Sequence, residues 1–170
     1  MEWKDHDDRE VTREFCAIVA DLVERISPML ADQAEARLLL VPAPSSKQSL
    51  RRRGRVHLWP LAQAAAARLQ DYGYQAYAQQ VLSMRSVSGK AVQLRGAAAR
   101  ARRVSGHIQV TPGKDVAGQA IILIDDIVTT GSTARQCAAV LREAGAKPLT
   151  VLALARAGER SQGDLSSVCD

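Results

Sequence analysis

Residues 121–133 constrain the fold of this chain more than any other segment. They read Ile-Ile-Leu-Ile-Asp-Asp-Ile-Val-Thr-Thr-Gly-Ser-Thr, and a stripe of apolar residues at helical spacing follows them. The apolar run predicts a buried strand, the polar residues predict a turn, and the stripe predicts a helix. A buried strand that enters a helix through a short turn is typical of an α/β fold with a parallel sheet.

The same segment has the chemistry of a site for a phosphorylated sugar. In an open parallel sheet, ligands bind beyond the carboxyl ends of the strands, where this turn must lie. Residues 129–133 offer a run of backbone N–H groups at a helix N-terminus, and Gly131 allows an anion to approach closely. The carboxylates of Asp125 and Asp126 suit a pair of vicinal ribose hydroxyls. We therefore predict that the segment binds a ribose 5-phosphate group.

An ordinary helix cap is the simplest alternative for this turn. Ser and Thr are the usual capping residues, and Thr133 alone fits that role. A cap needs one such residue, whereas this loop has four, so the full string favours a binding loop. A Walker-type nucleotide loop is excluded, because the pattern GxxxxGK[ST] does not occur in the sequence.

The remaining periodicities extend the α/β pattern along the chain. Helical spacing of apolar residues predicts helices at 11–26, 58–69 and 134–144, the last with Gly145 at its C-terminal cap. Apolar or alternating runs predict strands at 37–41, 75–82, 107–110, 120–124 and 149–155. We expect one domain over 1–170, with an N-terminal helical region at 1–35 and a mainly parallel sheet flanked by helices.

Composition is that of a cytoplasmic globular protein. The 170 residues are 46% hydrophobic and 24% charged, which is ordinary for a folded domain. The three cysteines are far apart and lack CxxC spacing, so structural disulfides and a zinc ribbon are not expected. No run approaches the roughly 18 apolar residues that span a membrane, and the polar, acidic N-terminus is unlike a signal peptide. We expect a cytoplasmic protein with no membrane partner.

Charge is distributed unevenly along the chain. Ten of the 18 acidic residues lie within positions 1–35. Residues 37–114 contain fourteen Lys or Arg and a single acid, Asp71. This block predicts a positive surface that faces polyphosphate, nucleic acid or an acidic partner, and charge alone does not choose among them.

Residues 121–133 resemble the signature with which type I phosphoribosyltransferases bind phosphoribosyl pyrophosphate (PRPP). The shared features are a hydrophobic strand, two acids, a hydrophobic pair and the string Thr-Thr-Gly-Ser-Thr. The resemblance implies the type I phosphoribosyltransferase fold. It also implies that Asp125 and Asp126, as the catalytic residues, hold and orient the ribose. The residues that it implies for the 5′-phosphate are Thr129, Thr130, Gly131, Ser132 and Thr133.

Other segments resemble, in chain order, the ComF-like (competence protein F-like) branch of that family. They are Val41-Pro-Ala-Pro44, the Arg-rich stretch to Gly54, residues 93–106, and Leu152-Ala-Leu-Ala-Arg156. The resemblance covers roughly residues 37–158. The sequence departs from the branch in lacking the four-cysteine N-terminal zinc element that many members carry. The RGFNQ-like stretch reads Arg53-Gly-Arg-Val-His57, and an Asn expected near Arg103 is replaced.

Two basic loops supply candidates for the pyrophosphate site. The first follows the strand at 37–41, where the resembling enzymes bind pyrophosphate. The second, 83–106, resembles the flexible hood that closes over PRPP, and long loops of this kind often act as lids. The residues expected to contact pyrophosphate are Ser45, Ser46, Lys47, Arg53, Arg85 and Arg100. Solvated surface loops are the alternative for both segments, and the lack of aromatic residues in the second disfavours stacking on single-stranded DNA.

The leading hypothesis is a glycosyltransferase that moves the 5-phosphoribosyl group of PRPP to a nitrogenous acceptor and releases pyrophosphate. Mg²⁺ is the expected cofactor, bound mainly through PRPP itself. The alternative is a non-catalytic PRPP-binding or DNA-uptake (competence) accessory protein with a basic partner-binding surface. A transcriptional regulator is disfavoured because no helix-turn-helix segment is seen. The expected partners are PRPP, the acceptor, a second copy in a homodimer, and nucleic acid or the competence machinery. His57 and His107 are predicted to be core residues rather than acid–base groups.

Overall fold

A computed structural model describes residues 9–33, 35–45, 57–85 and 108–157. Its main sheet has four parallel strands in the order β2-β1-β5-β6. These strands are β1 (Leu38–Pro42), β2 (Ala76–Ala78), β5 (Ala120–Val128) and β6 (Lys147–Arg156). The sequence prediction of a mainly parallel α/β sheet is therefore confirmed.

Helices cover both faces of the main sheet. One face packs against α1 (Arg9–Ile26) and α2 (Trp59–Asp71), and the opposite face packs against α3 (Ser132–Glu143). Alternate residues of β5 divide between the two cores: Ile122 and Ile124 point to the first, and Ile121 and Leu123 to the second. A strand buried on both faces reads as a continuous apolar run, because neither side faces water.

One predicted strand is divided between two sheets in the structure. The strand predicted at 75–82 is wrong as a single unit, because β2 ends at Ala78 and β3 (Leu82–Met84) belongs to a second sheet. There β3 pairs in antiparallel fashion with β4 (Ile108–Val110). The Gln79 N–H still bonds the Leu40 carbonyl of the main sheet, whereas the Val81 carbonyl accepts the Thr111 N–H of the second.

The remaining predicted elements are found with small shifts at their ends. The N-terminal helix ends at Ile26 and continues as a 3-10 helix, Ser27–Gln33. Gly145 follows α3 with a φ of +81°, as expected for a glycine that ends a helix. None of the described helices combines the length and the apolar character required to cross a bilayer.

The thiol of Cys137 lies in the second core with no exposed surface. Burial, reinforced by the Asp125 carboxylate, raises the pKa of this thiol to about 12. In the unfolded chain a thiol has a pKa of about 8.5, so above that pH the unfolded state loses a proton that the folded state keeps. Ionisation of this thiol therefore leaves the folding stability unchanged below about pH 8.5 and lowers it as the pH rises towards 12.

We therefore expect Cys137 to resist thiol reagents at pH 9 in the folded protein and to react fully in denaturant. The measurement is the labelling rate in a variant that carries Cys16→Ser and Cys169→Ser, so that only one thiol remains. In a parallel denaturation series, Cys137→Ala should reduce the loss of stability between pH 9 and 11. A fast labelling rate without denaturant would contradict the burial of this side chain.

Candidate functional site

The loop that joins β5 to α3 is shaped by one glycine. Gly131 has a φ of +70°, in the left-handed region, and it is the N-cap residue of α3. The helix begins at Ser132, two residues before the start at 134 predicted from the apolar stripe, and its N-cap residue has no side chain that could cap it. Thr133, the residue considered as an ordinary cap, lies inside the helix and is not its N-cap. The first backbone N–H groups of α3 open onto the loop, where the helix dipole favours an anion.

A small cup lies at the start of α3. Its lining includes Asp125, Thr129, Gly131, Ser132 and Thr133, five of the seven residues predicted to hold ribose 5-phosphate. The structure thus brings a carboxylate from β5 together with the helix N-terminus. Thr130 faces away from the cup, and its hydroxyl oxygen is 3.4 Å from the Ser132 backbone nitrogen, whose N–H it accepts.

The two neighbouring acids differ in their surroundings. Both lie within β5, which continues four residues beyond the predicted end of the strand at Ile124. Asp125 is half-buried and lines the cup, whereas Asp126 is only 5% exposed and is not part of the cup lining. The Asp126 backbone N–H donates to Asp125 Oδ1 at 2.9 Å, so the position of one acid depends on the other.

Asp126 is held by a histidine from a distant part of the chain. Nε2 of His57 lies 3.1 Å from Oδ2 of Asp126, and both side chains are buried. Oδ1 of the same carboxylate accepts the Ile127 N–H at 2.7 Å. His57 stands just before α2, at the end of the first basic loop. The sequence does not predict a role for His57 at this site, because the two residues are 69 positions apart and no local pattern joins them.

An arginine of α3 supports the outer side of the loop. Nη2 of Arg135 donates to the Thr130 carbonyl at 2.7 Å, and the Arg135 backbone N–H bonds the Gly131 carbonyl at 2.9 Å. A Cβ placed on Gly131 would lie 3.1 Å from Nη1 of this guanidinium. The guanidinium thus occupies the space that a larger residue at position 131 would need. The sequence prediction did not include Arg135.

Only two of the residues predicted for the pyrophosphate site lie in the part of the chain that the structure describes. Ser45 is half-buried and follows β1 at the carboxyl edge of the sheet. Arg85 is exposed at the end of β3, where its Nε donates to Gln109 Oε1 at 3.1 Å. Ser46, Lys47, Arg53 and Arg100 lie outside the described residues, as do His107 and most of the predicted hood.

Among the residues with described positions, no group of three or more His, Cys, Asp or Glu side chains could hold a metal ion. A site built from protein ligands alone is therefore not formed by this part of the chain. Mg²⁺ needs few protein ligands when a diphosphate supplies oxygens. The cup supplies one carboxylate, that of Asp125, as a possible ligand for such a metal.

Curated relatives match the chain over short stretches. Orotate phosphoribosyltransferase from Acinetobacter baumannii is 36% identical over 63 residues, which are 37% of this chain and 29% of the relative. Transcriptional regulator GfcR 2 from Methanosarcina barkeri is 51% identical over 39 residues, 23% of this chain and 19% of the regulator. The chain thus spans less than a third of the length of these relatives.

A solved structure supports the fold at low sequence identity. Hypoxanthine-guanine phosphoribosyl transferase from L. donovani aligns with a TM-score of 0.53 and 13% identity, covering 84% of this chain and 71% of that one. The fold of the present chain is thus the type I phosphoribosyltransferase fold predicted from residues 121–133.

The family model of the phosphoribosyl transferase domain matches residues 58–168, well over half of the 170. The chain therefore belongs to the phosphoribosyl transferase domain family.

Proposed function

We propose that this protein binds PRPP and transfers its 5-phosphoribosyl group to a nitrogenous acceptor, with release of pyrophosphate. The observation that carries the proposal is the cup, in which the Asp125 carboxylate lies beside the N-terminus of α3. An anion-binding helix end and a hydroxyl-binding carboxylate are the two groups that a ribose 5-phosphate requires. The ComF-like branch is the part of the family that the sequence resembles, and we assign the protein to it within this proposal.

In this proposal the loop at residues 129–133 binds the 5′-phosphate, and the two acids of β5 position the ribose. The backbone N–H groups of residues 131–133 and the hydroxyls of Ser132 and Thr133 hold the 5′-phosphate. Asp125 accepts hydrogen bonds from the ribose hydroxyls, and Asp126 fixes the end of β5 through His57. Displacement at the anomeric carbon then depends on positioning and on stabilising the departing diphosphate, so no nucleophilic side chain is needed.

The diphosphate is assigned to the basic loop that follows β1. The segment after β1 contributes Ser45, Ser46, Lys47 and Arg53 to this assignment, and the hood predicted from the sequence contributes Arg85 and Arg100. Mg²⁺, bound through the diphosphate oxygens, supplies positive charge that offsets the charge of the leaving group. Ser45 supports this assignment by its place at the carboxyl edge of β1, next to the strand that carries Asp125.

A pyrophosphate-release assay tests the proposal. The protein is incubated with PRPP, Mg²⁺ and one of a panel of purines, pyrimidines and amines, and direct PRPP binding is measured by calorimetry. Release that depends on one acceptor supports the transferase and identifies its substrate. Tight PRPP binding without release favours a PRPP sensor, the second candidate, for which the regulator GfcR 2 is the motivating relative. Absence of PRPP binding, together with tight binding of single-stranded DNA, would overturn the PRPP site.

Asp125→Asn should weaken PRPP binding by about tenfold, because the amide replaces an anionic hydrogen-bond acceptor with a neutral one. The competing effect is relief of repulsion between this carboxylate and the phosphates, which is smaller because the half-buried cup admits water. Asp71→Asn, on the exposed end of α2, is the control with the same change of charge. Tighter PRPP binding by Asp125→Asn would mean that the carboxylate repels the ligand rather than holding it.

A further inference from the structure

A groove of about 700 Å³ runs along β6, the edge strand of the main sheet. One wall consists of residues 149–153 of β6, and the other is formed by the end of α1 and the 3-10 helix that follows it. The side chains of that second wall are Leu22, Ile26, Met29, Leu30, Asp32 and Gln33. Met29 is 81% exposed, so an apolar side chain stands in water beside a largely apolar groove. The described residues that line this groove include none of those that line the cup.

The outer edge of β6 is open along most of its length. Among the described strands, only β5 pairs with β6, so no strand covers its other side. Edge strands are commonly protected from pairing with other chains by proline, a bulge or charged side chains. β6 has Pro148 and a register irregularity, but both lie at its start, before Thr150. No charged residue occurs between Lys147 and Arg156, so residues 150–155 lack this protection.

We propose that β6 pairs in antiparallel fashion with β6 of a second copy of this chain, around a two-fold axis at Ala153. Residues 150–156 form the part of the strand beyond the irregularity, and Ala153 is their midpoint. In a two-fold contact the same surface must supply both the groove and the side chain that fills it. Directly opposite residues of antiparallel strands have their side chains on the same face. The partner's Leu154 therefore lies beside Leu152, which lines the groove.

The same register is complementary in charge. It places Arg156 of the partner subunit opposite Thr150, which lines the groove together with Asp32. Alternate strand residues share one face, and Leu152 places this set on the face that α1 covers. Asp32 and Arg156 are exposed, and neither forms an ion pair within the described ranges of the chain. The two-fold axis forms the contact between them twice, and Lys147 lies outside the paired stretch.

Sedimentation equilibrium of the full-length protein, without PRPP, tests the pairing. We expect a dimer that dissociates on dilution. Asp32→Arg and Arg156→Asp should each weaken this dimer by about tenfold, because each places like charges at both contacts. Lys147→Asp is the control, since it reverses a charge of β6 outside the paired stretch, and it should leave the dimer unchanged. A protein that stays monomeric would leave the groove to a different partner and overturn the proposal, as would an equal loss in Lys147→Asp.

A mixture of the two charge variants tests the contact between subunits directly. In a mixed dimer of Asp32→Arg with Arg156→Asp, each of the two contacts again joins a cation to an anion. We expect the equimolar mixture to dimerise about as tightly as the unmodified protein, although each variant alone does not. Both positions are exposed, so both variants should fold. A mixture that dimerises no better than its components would refute this register, even if the unmodified protein is a dimer.

Discussion

Gly131→Ala should weaken PRPP binding by about a hundredfold, with only a small loss of folding stability. The φ of +70° at this position costs an L-residue about 1–2 kcal/mol, so the alanine variant can relieve its strain only by changing the loop. A changed loop no longer presents its N–H groups to the phosphate. Loss of two hydrogen bonds to a charged group, at about 1.5 kcal/mol each, accounts for the hundredfold effect.

The added Cβ of Gly131→Ala points away from the cup, so its effect on PRPP affinity is indirect. That atom would meet the Arg135 guanidinium at 3.1 Å, on the outer side of the loop, rather than the space of the cup. Arg135 can move because its side chain is long and exposed, but it then loses its bond to the Thr130 carbonyl. Loop strain and loss of this support both act on the conformation of residues 129–133. Arg135→Gln should therefore reproduce part of the loss of PRPP affinity.

Gly113→Ala is the matched control for the backbone strain that a positive φ imposes on alanine. Gly113 has a φ of +81° in an exposed turn, and nothing lies within 4 Å of an added Cβ there. Both variants pay the same kind of backbone cost, but only Gly131 belongs to the cup. Calorimetric PRPP titrations of the two variants, with thermal unfolding as the measure of stability, make the comparison. Equal PRPP affinity in Gly131→Ala and the unmodified protein would remove this loop from the proposed site.

Local patterns predicted the elements of this fold but not the partners of its strands. The apolar run at 120–124 identified β5, because a strand buried on both faces reads as a continuous apolar run. The loose alternation of residues 75–82 predicts one strand, because it continues from β2, which pairs with β1, into β3, which pairs with β4. Pairing depends on residues far away in the sequence, which a local period does not record.

The candidate site divides in the same way. The loop at residues 129–133 could be recognised from the sequence, because its hydroxyl and N–H donors, its glycine and the helix that follows are contiguous in the chain. The sequence could not show that only Asp125 lines the cup, because Asp125 and Asp126 are adjacent residues of the same type. What separates them is His57, which α2 and the preceding turn bring to Asp126 but not to the cup. Arg135 was missed for another reason: an exposed arginine on a helix is usually only solvated.

His57→Ala should lower the free energy of unfolding by about 1–3 kcal/mol, because a buried carboxylate loses a hydrogen-bond donor. Since Asp126 also bonds Asp125 through its backbone N–H, the change should reach the cup and weaken PRPP binding. His57→Gln, which keeps an N–H donor, should restore most of the stability. Urea denaturation measures the first effect and PRPP calorimetry the second. A His57→Ala variant as stable as the unmodified protein would mean that this hydrogen bond contributes nothing.

A double-mutant cycle with Asp126→Asn isolates the pair from the effects of its neighbours. Both residues are only 5% exposed, so each single substitution also disturbs the packing around it. If the two act through their mutual bond, the double variant should be more stable than the sum of the single losses predicts, by about 1–3 kcal/mol. The same cycle measured on PRPP affinity distinguishes two roles of the pair. If the two substitutions are coupled only in folding stability, the pair is a structural contact of β5. If they are coupled in both folding stability and PRPP affinity, His57 is a positioning residue that joins the basic loop to the proposed ribose site.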